Sequence, residues 1–329
     1  MVHIVTEGEL YKIVKVDQDA VEAVEKGFSE LDRGNATVPP VMMIPVPEKT
    51  GEVDVKSAYI KGIDRLAIKV ASGFFENSTL NLPSASGQML VLSAETGYLK
   101  AVLLDNGYLT QVRTGAAGAL AAKHLAPKNA ENAGVIGSGT QARFQMRGLS
   151  LMRKIKTIRM FSLDPEEVKD AYVKDMEAEL GVKVIKAESP EEVVRESSVV
   201  VTTTPARKGY IKAEWLHPGL HITAMGSDTE EKQELEAEVL AKADILACDL
   251  KSQVFRLGET RSALEQGVLT EESPIVELGA LVNGREKGRS SEEQISVCDL
   301  TGVGVQDTMI ALAACDLAEA RDMGVHIET

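Results

Sequence analysis

The sequence predicts an α/β protein, a Rossmann-type doubly wound sheet joined to an α+β domain. Three observations predict it. From residue 112 onward, short apolar strands alternate with helical segments, which implies a parallel sheet. One of those strands, AGVIG, runs into a glycine-rich turn and then a helix. Residues 38–104 instead hold short apolar or alternating runs broken by Pro, Gly, Asn and Asp, the pattern of a mostly antiparallel sheet.

Taken in order, residues about 8–34 read as one helix. Val21, Val24, Phe28 and Leu31 recur at helical spacing, and Arg33-Gly34 ends it. The runs VMMIPV, VDVKSAYI, LAIKVAS, QMLVLSA and KAVLLD follow as strands. VRTGAAGALAAKHLA reads as a small-residue helix. TIRMFSL, KVIKA, SSVVVTTTP, HITAMGS and ADILACDL supply the later strands of the doubly wound part. ISVCDLTGVGVQD reads as a last strand and turn, and MIALAACDLAEARDMG as a closing amphipathic helix. The expected division is residues 1–117, joined by a returning helix over 305–329, against 118–304. The boundary is placed by texture, because no linker marks it.

Composition narrows the function. The chain has 329 residues, enough for two domains, and 44% of them are hydrophobic, enough for a sizeable core. A formal net charge of −14 argues against nucleic acid and against an anionic membrane surface. No apolar run reaches the ~18 residues of a membrane span. MVHIVTEGELYKIV carries acids in its apolar stretch and no small-residue cleavage site, so it does not read as a signal peptide. Cys248, Cys298 and Cys315 form no CxxC pair, which suits a reducing, cytoplasmic setting. His217 and His221 flank Pro218-Gly219 with no third ligand nearby, so they read as turn and strand residues, and no metal site is expected. Trp215 and the methionines read as core.

Gly137-Ser138-Gly139-Thr140-Gln141-Ala142 has a strand before it and a helix after it. The first glycine permits a tight turn, the second lets backbone approach a pyrophosphate, and the helix N-terminus faces the negative charge. Ala142 replaces a third glycine, where only a small side chain is needed for packing. The tip of the second strand should discriminate NAD from NADP. It carries Ser162, with Asp164 two residues late and Arg159 before it. Asp164 reads equally as a ribose acceptor or as the N-cap of a helix over 165–180. The expected cofactor is therefore NAD(H) or NADP(H).

The chain resembles the ornithine cyclodeaminase/μ-crystallin family. The segments that carry the resemblance run nearly end to end: VPP near 38, AIKV around Lys69, VRTGAAG at 112–118, GSGTQA at 137–142, VTTTP at 201–205, AMGSD at 224–228 with KQEL just after, and DLTGVGVQD at 299–307. The resemblance implies a Rossmann domain and a substrate domain that pairs with its twin in a homodimer. It also implies chemistry at the Cα–N bond of an amino acid. LLDNGYLTQVRT and AEWLHPGLHITAMGSD look closest to members of an ectoine-utilisation, cyclodeaminase-like branch.

The resemblance assigns roles to residues that the sequence leaves open. Lys69 lies in an otherwise apolar strand, where a lysine either snorkels from an edge or points into a site. It matches a lysine that contacts the substrate carboxylate and can donate a proton, a role that a desolvated amine with a lowered pKa suits. Arg113 reads as the start of a helix, an unfavourable place for its charge unless an anion is near. It matches the arginine that holds the substrate carboxylate. Thr114 and the backbone N–H groups after it would reach the cofactor phosphates. Asp228, at a strand's carboxyl end, is the second catalytic candidate, with an N-cap role as the plain alternative. A basic residue common after the PP of the first strand is Val41 here, and Lys56 is a candidate replacement. Asp54 falls where ornithine cyclodeaminase places an acid near the distal amine. Alternation puts Asp54 and Lys56 on one strand face, and an exposed charged face is the plain alternative. Thr203, Thr204 and Pro205, and Thr301, Gly302 and Val303, are candidate walls for the nicotinamide.

The expected activity is NAD(P)H-dependent reduction of an α-carboxylated imine, such as Δ1-pyrroline-2-carboxylate, or the reverse dehydrogenation of an amino acid. The alternatives are a redox-neutral cyclodeaminase using bound NAD+ and a cofactor-gated small-molecule binding protein.

Overall fold

The computed structural model describes residues 1–328, the side chains of Phe75 and Ser78 excepted. The chain forms two compact units, Met1–Arg113 with Val303–Thr329, and Thr114–Gly302.

The first unit opens with β1 (Val2–Thr6), α1 (Glu7–Ile13) and α2 (Gln18–Asp32). The single helix expected over 8–34 is thus two helices. Val14 leaves α1 with an extended backbone, and the Asp17 carboxylate accepts the Ala20 N–H at 3.0 Å to start α2. Three β-branched residues, Ile13, Val14 and Val16, favour the extended break. Then come β2 (Ala36–Thr37), β3 (Met42–Val46), β4 (Gly51–Ile60), β5 (Arg65–Phe74), β6 (Ala85–Ser93) and β7 (Leu99–Leu104). These are the antiparallel runs that the sequence marks. α3 (Tyr108–Leu125) begins four residues before the expected start, because Asp105 accepts the Leu109 N–H at 2.8 Å.

The second unit contains β8 (Asn132–Ile136), α4 (Thr140–Met152), β9 (Thr157–Phe161), α5 (Glu166–Leu180), β10 (Lys183–Lys186), α6 (Pro190–Arg195) and β11 (Val199–Thr202). It continues through β12 (Arg207–Ile211), β13 (His221–Ala224), β14 (Gln233–Leu235), α7 (Ala237–Ala241) and β15 (Ile245–Cys248). It closes with α8 (Lys251–Val254), α9 (Glu259–Glu265), β16 (Ile275–Glu277), α10 (Leu278–Val282) and β17 (Ser296–Asp299). The chain then returns to the first unit as α11 (Gly304–Ala320) and β18 (Val325–Ile327). The expected last turn is wrong in one respect: GVQD lies inside α11.

In the first unit the sheet runs β18-β1-β7-β6-β5-β4-β2, with β3 also on β4. β5 is therefore an interior strand. α11 lies against β4, β5 and α2. Its first turn presses on β4 so closely that a Cβ on Gly304 would stand 2.1 Å from the Ser57 carbonyl oxygen. Thr308 also donates its hydroxyl to the Ala58 carbonyl at 2.9 Å.

In the second unit eight parallel strands run β10-β9-β8-β11-β13-β17-β15-β16. The central strands β8, β11, β13, β17 and β15 are buried along nearly their whole length, as a sheet covered on both faces requires, while the edge side, β9 and β10, alternates. The order reverses between β8 and β11, and ligands bind doubly wound sheets at the carboxyl ends of strands at such a reversal. Glycines at 115, 118 and 148 let α3 and α4 meet. A Cβ on Gly115 would lie 2.8 Å from the Phe144 carbonyl oxygen, and one on Gly148 2.3 Å from that of Gly115. The small-residue texture of VRTGAAG is the record of that contact.

Candidate active site

The first unit buries an unusual set of charges. Lys69 is 2% exposed, Arg113 6%, Lys56 8% and Asp307 0%. Lys56 and Lys69 are direct cross-strand partners on β4 and β5. Asp307 comes from the first turn of α11, the helix packed on those strands. One carboxylate oxygen lies 3.1 Å from Lys69 Nζ, and the other lies 3.1 Å from Arg113 Nε. Arg113 Nη1 donates to Gln306 Oε1 at 2.8 Å. The Gln306 amide nitrogen is buried and has no protein acceptor among the described residues.

These placements settle several alternatives. Lys69 cannot snorkel from an edge, because β5 has neighbours on both sides. Lys56 is on a buried face, not an exposed charged one. Asp54 is two residues from it on the same face, opposite Ala71 and half-buried. Arg113 is not at a helix start. It sits in the second turn of α3, and Asp307 answers its charge.

Burial controls the chemistry of this cluster. It pulls the Lys69 amine down from 10.5 to about 7; Asp307 opposes the shift, and Arg113 and Lys56 add to it. Asp307 is held below the ordinary carboxylate value, because Lys69 and then Arg113 outweigh its desolvation. Burial pushes Asp105 up to about 6, against the N–H groups that its carboxylate accepts. An amine with a pKa near 7 holds and releases a proton at neutral pH. A substrate anion that joins these buried cations would offset part of their desolvation.

The second unit carries the glycine-rich loop. Gly137 has φ +115°, and a Cβ there would stand 2.5 Å from Thr203 Oγ1. The loops after β8 and β11 thus touch at the strand-order reversal. Gly139 has open space where a Cβ would project, and it starts α4 with no side-chain cap. The exposed Gly139-Thr140 backbone can therefore approach an anion, while Ala142 is buried in the packing. Gln141 faces Gln145, whose amide donates to the Thr114 carbonyl at 2.8 Å. The N–H groups after Thr114 are inside the α3 ladder, so the expected route to a phosphate through them is closed; only the Thr114 hydroxyl could reach one.

Asp164 folds back onto the loop. Its carboxylate accepts the hydroxyls of Ser138 and of Ser162, the latter at 2.7 Å. These bonds, Ser138 first, hold it below the ordinary carboxylate value. It is not a helix cap: α5 starts from Pro165 without a side-chain cap. Arg159 turns instead to Glu196.

Three further loops at the carboxyl ends of strands are held by buried acids. Glu234 accepts Thr202 Oγ1 at 2.7 Å, the Thr204 N–H at 2.6 Å, Tyr210 Oη at 3.0 Å and the Gly226 N–H at 2.8 Å. Glu259 in turn accepts the N–H groups of Glu234 and Leu235. Asp249 accepts the N–H groups of Thr301 and Gly302 at 2.8 and 2.7 Å. Burial raises the pKa of both glutamic acids. Thr203, Thr204 and Pro205 follow β11, and Thr301 and Gly302 follow β17. Val303 opens α11 in the first unit and is fully buried. Asp228 lies two residues past Gly226 and pairs with Lys232 at 2.6 Å. No helix follows it, so it is not an N-cap. His217 bonds the Val194 and Ser197 carbonyls. His221 bonds Ser296 and Thr223, and burial pulls its pKa down to about 3.

The model of the ornithine cyclodeaminase/mu-crystallin family matches residues 2–321. The chain belongs to this family. It is 45% identical to an uncharacterized cyclodeaminase of Sinorhizobium fredii, over 99% of this chain and 98% of that one. It superposes on Thermococcus litoralis Δ1-pyrroline-2-carboxylate reductase, solved with NADH and L-proline, with a TM-score of 0.94 and 29% identity, covering 99% and 100% of the two chains. An archaeal alanine dehydrogenase dimer with bound NAD gives a TM-score of 0.92 and 34% identity, covering 99% of each chain.

Two residues of this family member escaped the sequence reading. Asp307 was hidden because DLTGVGVQD read as a strand and turn; the available signal was a lone acid at the head of an apolar helix. Glu234 stands in the KQEL segment that supports the resemblance, but nothing in sequence marks an acid that will be buried.

Proposed function

We propose that this chain uses NADH to reduce an imine bearing an α-carboxylate to the amino acid, and catalyses the reverse dehydrogenation. The observation that carries the proposal is the buried Lys56, Lys69 and Arg113 set, with the Asp307 carboxylate between Lys69 and Arg113. Such a set suits a small carboxylate-bearing substrate and disfavours one with a second ammonium group. The Arg113 guanidinium receives the carboxylate, Lys56 adds charge, and the unpaired Gln306 amide supplies a further donor. Lys69 gives its proton to the imine nitrogen in reduction and takes it back in oxidation. Asp307 fixes Lys69 and Arg113 and keeps part of the amine population protonated. Asp228 is a second proton-handling candidate.

The residues of the second unit fit a dinucleotide. The open Gly139 position and the uncapped start of α4 suit the pyrophosphate, and the ionised Asp164 suits a ribose diol. The reduced nicotinamide supplies the hydride. We assign NAD rather than NADP, because Asp164 would repel a 2′-phosphate and Arg159 is engaged elsewhere. The similar Δ1-pyrroline-2-carboxylate reductase and alanine dehydrogenase, whose names describe chemistry at this same bond, support the reading.

A homodimer fits the first unit. The edge strand β3 exposes Met42, Met43 and Ile44 together, a surface that a second copy would cover. No helix among the described residues is long and apolar enough to cross a membrane. Three buried free thiols agree with a reducing, cytoplasmic location.

The second reading is cyclodeamination, which Asp54 keeps open. Stoichiometry separates the two. Amino acid with excess NAD+, or imine with NADH, should change the reduced-nicotinamide absorbance one for one with product. Ammonia release with no net change would establish the cyclodeaminase instead.

A further inference from the structure

We propose that His3, Glu319 and His326 form a binding site for a divalent transition-metal ion, zinc being the ion that this donor set suits. The three residues lie at the two ends of the first unit's chain, and none belongs to the Lys69–Arg113 cluster. β1 and β18 are antiparallel partners, and their register sets His3 directly opposite His326. The two rings stack at 4.4 Å with 12° between their planes. Glu319, from the last turn of α11, reaches the same point. Its Oε2 is 3.4 Å from His3 Nδ1 and 3.9 Å from His326 Nε2. One donor atom from each residue lies within 4.8 Å of the others.

The tautomer of His3 is set for ligation. Its Nε2 donates to the Met323 carbonyl at 2.7 Å, which leaves the lone pair on Nδ1, facing Glu319. Metal-binding histidines characteristically use the second ring nitrogen in this way. The turn that carries Met323 is itself held. Gly324 has φ +88°, and a Cβ there would stand 2.5 Å from His3 Nε2. Its N–H donates to Glu9 Oε1 at 2.9 Å. His3 is 5% exposed, so one ligand is fixed before any ion arrives.

The distances are close to what zinc needs. Tetrahedral zinc with ligands at 2.0–2.1 Å places donor atoms roughly 3.3 Å apart. The His3–Glu319 pair is already there. His326 must swing off its stack on His3, because an ion lies in the plane of each ring that binds it and two parallel rings cannot share one, and must close on Glu319 by roughly half an ångström. Both His326 and Glu319 are exposed side chains with room to do so. All three residues line a cavity of about 410 Å³, which leaves a fourth position open to water or a small ligand. Arg65, the nearest guanidinium in that wall, is paired to Asp64 and Asp316. Lys100 is the other basic side chain lining the cavity. Two imidazoles and one carboxylate favour zinc, cobalt or nickel over calcium or magnesium, which take oxygen ligands. A bound ion would tie β1, α11 and β18 together and anchor the exposed three-residue strand at the chain's end.

The test uses the full-length chain without an affinity tag, stripped with a chelator. Zinc is titrated calorimetrically, cobalt is followed by its visible absorption, and melting is recorded with and without zinc. One equivalent of zinc per chain, tetrahedral cobalt bands and a higher Tm are expected. His326→Ala and Glu319→Gln should each weaken zinc at least about tenfold and remove the Tm gain. Both positions are exposed, so the fold tolerates them. Glu95→Gln, in the cavity wall but not among the three donors, should bind as the parent does. No zinc uptake at tens of micromolar would overturn the proposal. So would uptake that both substitutions leave unchanged. Calcium should not compete.

Discussion

Asp307→Asn removes the negative charge that Lys69 and Arg113 share and keeps the side chain's shape. At 3.1 Å and an effective dielectric constant of about 20, the Lys69–Asp307 attraction is worth up to about 5 kcal/mol. Losing even half of that lowers the Lys69 pKa by about 2 units, from about 7 to roughly 5. At pH 7 the protonated fraction falls from about a half to roughly one in a hundred, so imine reduction loses ~50-fold in kcat/KM through proton supply alone. Two buried cations are also left with one partner fewer. That costs about 3–5 kcal/mol of stability, and a Tm loss of ~10 °C follows for a unit of this size. The assay is kcat/KM for imine reduction from pH 5 to 9 at saturating NADH, with a thermal melt beside it. In the parent, reduction should decline above about pH 7 as Lys69 loses its proton, and amine oxidation should rise. In Asp307→Asn the inflection should move to roughly pH 5. A variant that keeps the parent's inflection and rate would refute Lys69 as the titrating donor. The same shift bears on stability. The folded pKa lies below the unfolded one, so the unfolded chain holds more protons between about pH 7 and 10.5, and stability from this group rises with pH across that window.

Other predictions concern the second unit. Asp164→Asn removes the charge that would repel a 2′-phosphate, so the NADH/NADPH ratio of kcat/KM should fall by about tenfold or more, as steady-state rates with both cofactors would show. An unchanged ratio would remove Asp164 from cofactor selection. Glu234→Gln leaves fewer acceptors for Thr202, Thr204, Tyr210 and Gly226, so the loops after β11 and β13 should loosen. The KM for NADH should rise severalfold with a smaller change in kcat; a loss in kcat alone would contradict a positioning role.

The sequence made the doubly wound part legible because buried parallel strands read as apolar runs and because GSGTQA sits between a strand and a helix. It also picked out Lys69 and Arg113, since a charge inside an apolar or small-residue segment is costly unless something answers it. What answers it was not legible. Asp307 is 238 residues from Lys69 in sequence, and only the packing of α11 on β4 and β5 brings it there. The break at Val14 was missed because the apolar spacing continues across it, while the Asp17 cap is a local feature inside that pattern. His3, Glu319 and His326 gave no spacing signal because two chain ends bring them together. Asp164 read as a cap or a ribose ligand, and its fold-back onto Ser138 with the uncapped start of α5 excludes the cap.

The central claim is that buried Lys56, Lys69 and Arg113 recognise an α-carboxylate on an imine. The most direct test compares NADH-dependent reduction of Δ1-pyrroline-2-carboxylate with that of Δ1-pyrroline, the same ring without the carboxylate. Two charge-assisted contacts at about 1.5–3 kcal/mol each put the expected preference at ~100-fold or more in kcat/KM. Arg113→Ala should lose most of that preference. Equal rates for the two rings would contradict the claim.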